Sequence, residues 1–313
     1  MSLGSSQAVF AIVINWNGGE ENLRCLNALV AAGLDPGHIV FVDNGSVRGS
    51  HKQVRHHYPG LLWVQNPTNV GFAEAANQGA QRALEHGAEW LWFINNDLDV
   101  EAHSLAQLLA AAAQDPTIGL LAPRILLPGS PPRIWAWGGR WNRGFRLVEL
   151  GGHGQPDGSA YQQVADCDFL TGAALLVRRD TWHALGGFEA SYFAYMEDVE
   201  LCQRARESGW RVVCVGPASA VHHASASTGG GYSARRKYMM ALNTVRILRR
   251  RGSLLAWVRF LVLDVLLWPV LLVVASLRGH GRAALGKGLG IVHGLLGKRV
   301  TARVVEPGGS ILW

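Results

Sequence analysis

Three features of this chain predict an α/β fold around a mainly parallel sheet. Short apolar runs alternate with segments of helical periodicity, the pattern of repeated βα units. Each of the first four runs ends in a polar turn, and in a parallel sheet such turns collect on one edge, where ligands bind. The 313 residues, 49% of them hydrophobic, exclude bulk disorder and suffice for a large core in a body of about 200–250 residues.

The elements follow in order. Val9–Ile14 is a compact apolar run ending in Asn15-Trp-Asn-Gly-Gly19. Glu20–Ala32 carries leucines at helical spacing. Ile39–Val42 is a second strand, followed by Asp43-Asn-Gly-Ser46, and Leu61–Val64 a third, ending near Asn69-Val-Gly-Phe72. Ala73–His86 reads as a helix stopped by Gly87. Trp90–Ile94 is the fourth strand, His103–Gln114 a helix and Ile118–Ala122 a strand. Pro128–Gln155, rich in Pro, Gly, Trp and Arg, reads as a surface excursion with a hairpin around Trp135–Trp141, either a lid or a packed flap. Phe169–Arg178 is a strand interrupted at Gly172. Tyr195–Gly209 is a helix with acids at its start, and Arg211–Val215 is a last strand running towards His222 and Ser227.

Charge divides the chain. Residues 1–230 hold 15 Lys/Arg against 21 Asp/Glu, whereas residues 231–313 hold 14 against two. A basic tail suits nucleic acid or anionic lipid. Here the basic residues alternate with the apolar block Leu254–Leu277, which favours lipid over nucleic acid. Four cysteines show no paired spacing and no leader precedes the first strand, which predicts reduced thiols in the cytoplasm.

The polar cluster Asn95-Asn-Asp-Leu-Asp99 at the end of the fourth strand is the strongest chemical signal. A hard divalent cation commonly reaches a protein through one or two carboxylates plus substrate phosphates. A second acidic pair, Glu197 and Asp198, opens a helix, where the dipole favours ionised carboxylates; such acids also occur for stability alone. Asp43-Asn-Gly-Ser46 is by itself a good turn, Asn77 a solvated helical residue, and His222 a packing or surface residue. Trp16, Trp63, Trp90 and Trp92 read as core or wall.

Taken together, Asp43-Asn-Gly-Ser46, Asn69-Val-Gly-Phe-Ala73, Asn95-Asn-Asp97, the Gly172 segment, Phe193-Ala-Tyr-Met-Glu-Asp-Val-Glu-Leu201 and His222 resemble the family 2 glycosyltransferases. The likeness covers about residues 8–250 and points to the bacterial rhamnosyltransferase branch. It implies a GT-A fold and inverting, metal-dependent transfer from a nucleotide-diphosphate sugar. By the same likeness Asp43 binds the nucleoside, with Asn15 and Asn17 lining its pocket and Asn69 and Asn96 on the nucleotide side. Asp97 takes the metal (Mn²⁺ or Mg²⁺); Asp99 offsets Asn95, which stands where the family often has Asp, and His222 or His223 completes the site. Asp198 takes the place of the general base, with Glu197 the alternative.

The family reading makes residues 1–250 the GT-A domain and residues 251–313 a membrane-associating helical segment. Phe260–Leu277 is short for a spanning helix, which needs about 20 apolar residues, and it contains Asp264 and Pro269. A monotopic or re-entrant element on the cytoplasmic leaflet fits best; buried helices or a homo-oligomer interface are the alternatives. The expected reaction is transfer of rhamnose from dTDP-rhamnose to a lipid-linked glycan in cell-surface polysaccharide synthesis, with Arg235, Arg236 and Lys237 facing the acceptor diphosphate. Other UDP-, GDP- or dTDP-hexose donors, a glycoside hydrolase built on Asp97 and Asp198, and a catalytically silent membrane scaffold are the competing readings.

Overall fold

The computed structural model describes residues 8–47, 49–141, 147–223, 233–306 and 308–313. The first half runs β1 (Val9–Asn15), α1 (Glu21–Ala31), β2 (Ile39–Asn44), α2 (Ser50–His57), β3 (Leu62–Asn66), α3 (Phe72–Glu85), β4 (Trp90–Asn95). There follow β5 (Leu98–Val100), α4 (Ser104–Gln114), β6 (Ile118–Leu127), β7 (Arg133–Ala136), β8 (Gly139–Trp141) and β9 (Val148–Leu150). Next come β10 (Val164–Asp166), β11 (Ala174–Arg178), α5 (Arg179–Leu185), α6 (Glu197–Glu207) and β12 (Arg211–His222). Helices α7 (Ala234–Arg251), α8 (Leu254–Phe260), α9 (Trp268–Leu277), α10 (Gly281–Leu295) and α11 (Ala302–Val305) close the chain.

Among the described residues the main sheet has the order β10-β12-β6-β11-β4-β1-β2-β3, with β5 added to β12 and β7 to β6. Strands β4, β1, β2 and β3 are mutually parallel, while β11 enters antiparallel between β4 and β6. Period-2 alternation divides each central strand between two cores. Val9, Ala11 and Val13 pack with Cys25, Leu26 and Leu29 of α1 and Leu108 of α4. Phe10 and Ile12 face the alanine-rich side of α3 and the apolar side of α6. Trp90 and Trp92 are buried in the first of these cores, as a wall reading requires.

Several elements differ from the sequence expectation. Helices α2 and α5 and strand β5 were not legible, because each is short and held by tertiary partners. Strand β6 runs on to Leu127 and β12 to His222, since they pair with one another over eight residue pairs. Trp135–Trp141 is not a hairpin: β7 folds back on β6, whereas β8 pairs with β9. Residues 142–146 of that excursion, and the expected continuation through Ser227, lie outside the described residues.

The C-terminal helices join the body through α7. Along α10, Gly286, Gly290 and Gly294 repeat every four residues and meet Ala234, Tyr238 and Leu242 of α7, also four apart. Small residues at this spacing let two helix backbones approach closely. Helix α8 continues through a π turn at Leu261–Leu266 and is bent by 45° from α9. Pro269 stands in the first turn of α9, where a missing N–H breaks the ladder. Asp264, a charge inside the apolar run, pairs with Lys287 of α10 at 2.6 Å. No single described helix is long and apolar enough to cross a membrane, although the bent α8–α9 pair passes by length and composition.

A Cβ on Gly290 would collide with the Tyr238 carbonyl oxygen. Gly290→Ala is therefore expected to push α10 off α7 and cost about 1–3 kcal/mol, the usual penalty of overpacking. Urea denaturation followed by tryptophan fluorescence checks this; an unchanged midpoint would show that the helices are not in close contact.

Candidate active site

Because β1, β2, β3 and β4 are parallel, their C-terminal ends lie on one edge of the sheet. The polar turns that follow them knit together there. Asn15 Nδ2 donates to Asp43 Oδ1 and to Ser46 Oγ, both at 3.1 Å. Asn15 Oδ1 accepts from the Gly18 amide at 3.0 Å and from Asn22 Nδ2 at 3.1 Å. Asp43 Oδ2 accepts from Gln65 Nε2 at 2.8 Å. Asn17 sits at φ 58°, donates its amide to Ser46 Oγ and accepts from the Val47 amide. Asn96 Nδ2 donates to Asn22 Oδ1 at 2.8 Å, and Asn44 Nδ2 to Asn69 Oδ1 at 3.0 Å.

A cleft of ≈ 750 Å³ opens beside this network. Trp16, Asn44, Asn69, Asn96, Asp97, Glu197, Asp198 and His222 are among the side chains lining it, with Arg235 and Arg236 from the start of α7. Asn15 and Asp43 are wholly buried and do not line it; their polar atoms hold the first two loops to each other. Asn17 and Asp99 are also outside the lining. Asp99 faces Arg24 at 2.9 Å and His223 at 2.8 Å, so its carboxylate is engaged away from the cleft.

Asp97 and His222 meet because β5 pairs antiparallel with the end of β12, placing His222 opposite Leu98. Asp97 Oδ1 lies 3.2 Å from His222 Nε2, and both side chains are buried. The next residue, His223, lies just beyond β12, and its Nε2 is 2.8 Å from Asp99 Oδ2. Trp135 of β7 packs edge-on against the His222 ring, with centroids 4.5 Å apart. Among the described residues no three His, Cys, Asp or Glu side chains gather into a metal-holding group. A carboxylate oxygen and an imidazole nitrogen in a lined cleft nevertheless fit a divalent cation that completes its shell with substrate oxygens and water.

The second acidic pair sits at the start of α6. Asp198 Oδ2 accepts from the Gly172 amide at 2.9 Å and Oδ1 from the Val199 amide at 2.8 Å. Burial pushes the Asp198 carboxyl above its usual range, and these amides pull it back. Glu197 lies deeper; burial drives it well above the carboxylate range, the Asp198 charge adds to this, and only its own backbone amide opposes it. The two carboxyls titrate as a pair, and burial holds both above the usual range, Glu197 the further. The segment before them is strained: Phe193, Tyr195 and Met196 all have positive φ, at a cost of roughly 1–3 kcal/mol each.

Residues 10–153 match the model of glycosyl transferase family 2, and residues 90–285 that of glycosyl transferase family group 2. The chain belongs to the family 2 glycosyltransferases. The enzyme is similar to the N-acetylglucosaminyl-diphospho-decaprenol L-rhamnosyltransferase of Mycobacterium tuberculosis, with 29% identity over 70% of this chain and 76% of that one. It also resembles a galactofuranosyltransferase of the same organism, with 26% identity over 65% of this chain and 66% of the relative. Among solved structures, a mannosyltransferase from Pyrobaculum calidifontis in complex with GDP-Man and Mn²⁺ superposes with a TM-score of 0.58 at 17% identity, covering 93% of this chain and 88% of that one. GalNAc-T7 with UDP, GalNAc and Mn²⁺ superposes with a TM-score of 0.59 at 15% identity over 77% of this chain, which spans 47% of that structure. These likenesses identify the GT-A fold.

Sequence reasoning left Asn22, Gln65 and Asn44 without roles. Asn44 carried the clearest missed signal, a polar residue where the β2 alternation stops. Asn77, expected in solvent, exchanges hydrogen bonds with both backbone groups of Phe188 at 2.9 and 3.0 Å.

Glu197 supplies a pH test. Its pKa is higher folded than unfolded, so between the two values the native state holds the extra proton and stability falls as pH rises. Glu197→Gln removes that loss. The urea midpoint of the variant is expected to exceed that of wild type at about pH 8, with the gap closing towards about pH 5. A gap independent of pH would show that Glu197 carries no displaced proton.

Proposed function

We propose that the enzyme transfers a sugar with inversion from a nucleotide-diphosphate donor, most simply rhamnose from dTDP-rhamnose, to a hydroxyl of a lipid-linked glycan. The observation that carries this reading is that one cleft is lined both by the Asp97–His222 pair and by the amide-held Asp198 carboxylate. In this reading Asp97 and His222 hold Mn²⁺ or Mg²⁺, and Asp99 stays with Arg24 and His223 outside the set. When bound, such a cation neutralises the negative charge of a departing diphosphate. Asn69, Asn96 and Trp16 line the donor's side of the cleft, while Asn15, Asn17 and Asp43 keep the loops around it in shape. Asp198 takes the proton of the acceptor hydroxyl as its oxygen attacks the anomeric carbon and the nucleoside diphosphate departs from the opposite face. Glu197 lies beside it, its carboxyl pushed well above the usual range by burial and by the Asp198 charge.

The lipid-linked acceptor is supported by the relative that acts on a diphospho-decaprenol. Arg235 and Arg236, lining the cleft at the start of α7, suit an acceptor diphosphate. A UDP- or GDP-hexose donor is the second reading, favoured by fold neighbours bound to UDP and GDP-Man. We further propose that α8, its π turn and α9 rest on the cytoplasmic leaflet of the cell membrane. Leu254, Leu266 and Leu277 are 82%, 70% and 84% exposed, and basic residues stand at both ends of the segment.

Nucleotide release from a panel of nucleotide-sugars, with Mn²⁺, Mg²⁺ or EDTA and a lipid-linked acceptor, tests the chemistry. Asp198→Asn is expected to lower turnover by about 100- to 10,000-fold, the usual contribution of a general base, while donor binding by calorimetry persists. Asp97→Ala is expected to abolish the metal dependence together with activity. Metal-independent release, or full activity of either variant, would overturn the two-centre mechanism.

Membrane association has its own readout. The substitutions Leu254→Glu, Leu266→Glu and Leu277→Glu together leave the buried contacts of α10 on α7 intact. They are expected to abolish co-sedimentation with vesicles containing anionic lipid; undiminished sedimentation would remove the apolar face from the account.

A further inference from the structure

A buried amide of α7 meets three backbone carbonyls of the strained segment before Asp198. Asn243, in the middle of α7, has no exposed surface. Its Nδ2 lies 2.9 Å from the Tyr192 carbonyl oxygen, 3.1 Å from that of Ala194 and 2.8 Å from that of Tyr195. An amide nitrogen has two hydrogens, so three acceptors share two donors, and all three belong to four consecutive residues.

Those residues need a brace. Phe193 stands at φ 63°, ψ −67°, and the Ala194 amide donates to the Tyr192 carbonyl oxygen at 2.8 Å. This is the rare γ-turn, which is strained in ordinary residues. Met196, at φ 74°, then enters α6 in the left-handed region, and Asp198 follows two residues later. Strained backbone of this kind persists only where its surroundings over-determine it. Without the brace the chain would relax towards negative φ, and Asp198 would turn away from the Gly172 amide.

The same segment reaches the nucleotide-side loop. The Phe193 carbonyl oxygen accepts from the Ala73 amide at 3.1 Å. Gly71, at φ 92°, lies so close that a Cβ there would strike Phe193. Arg246, one turn along α7, donates to the Ser191 carbonyl oxygen at 2.7 Å and lies over the Tyr192 ring. From these contacts we infer that Asn243 is the positioning residue of the enzyme: it clamps residues 192–195 in their strained form and thereby aims the Asp198 carboxylate at the acceptor hydroxyl. Helix α7 thus carries Arg235 and Arg236 into the cleft at one end and holds the base from its middle. The aiming role rests on Asp198 being the base; the clamping role does not.

Asn243→Asp tests both, because it keeps size and shape but replaces two donors by an oxygen facing three carbonyl oxygens. In the full-length enzyme kcat is expected to fall about 100-fold, the loss that follows a misplaced reacting group, with the donor KM within about threefold of wild type. Amide hydrogen exchange at Phe193 and Ala194 is expected to accelerate by about tenfold or more as the turn opens locally. If the aspartate variant does not fold, Asn243→Ser, with one donor in place of two, is read in the same way, with smaller shifts in kcat and exchange. Unchanged exchange in a folded variant overturns the clamp. An unchanged kcat, or a loss confined to KM, overturns the aiming role. If wild type transfers no sugar from any donor, the functional reading fails instead, while exchange still reports on the clamp.

Discussion

The candidate active-site cleft depends on one strand pairing. Three residues of β5, directly after Asp97, lie antiparallel to the last three residues of β12, and the register sets Val221 against Asp99 and His222 against Leu98. A slip of one residue would turn every side chain to the other face. His222 would then leave Asp97. The register is held by the long β6–β12 pairing beside it and by the buried alternation of Leu98, Val100, Ala218 and Ala220. Apolar burial therefore decides which carboxylate faces the cleft.

Two kinds of polar residue surround that cleft. Buried amides such as Asn15 and Asn243 satisfy backbone and side-chain groups that would otherwise be stranded away from water, a debt that is heavy in a low-dielectric interior. Other polar groups, among them Asp97, Asp198, Arg235 and Arg236, line the cleft. The division explains why residues from one sequence motif part company. Asp43 is consumed by Asn15 and Gln65, whereas Asn44, its neighbour, lines the cleft while holding Asn69.

Helix α7 joins this machinery to the C-terminal helices. Its basic end pairs with acids of the body: Arg250 with Glu189, and Arg251 with Glu200 and Glu207. Its glycine-facing side receives α10. The basic composition of residues 231–313 thus serves partly as internal ion pairing. Glu200 is almost fully buried between Arg204 and Arg251, a position where losing both partners would leave an uncompensated charge.

The sequence by itself determined the βα alternation, the edge on which the polar turns gather and the acidic start of α6. All of these follow from local periodicity and from strand ends, where apolar runs stop. The glycine spacing at 286, 290 and 294 and the polar Asn243 within α7 were not read from the sequence. Neither carries meaning until a partner is known. Only the tertiary structure decided that Asp99 turns to Arg24 and His223 while Asp97 turns to His222, that Asp43 is buried, and that Phe193–Met196 is strained. These outcomes rest on contacts between segments 22–124 residues apart in the chain, which no local pattern encodes.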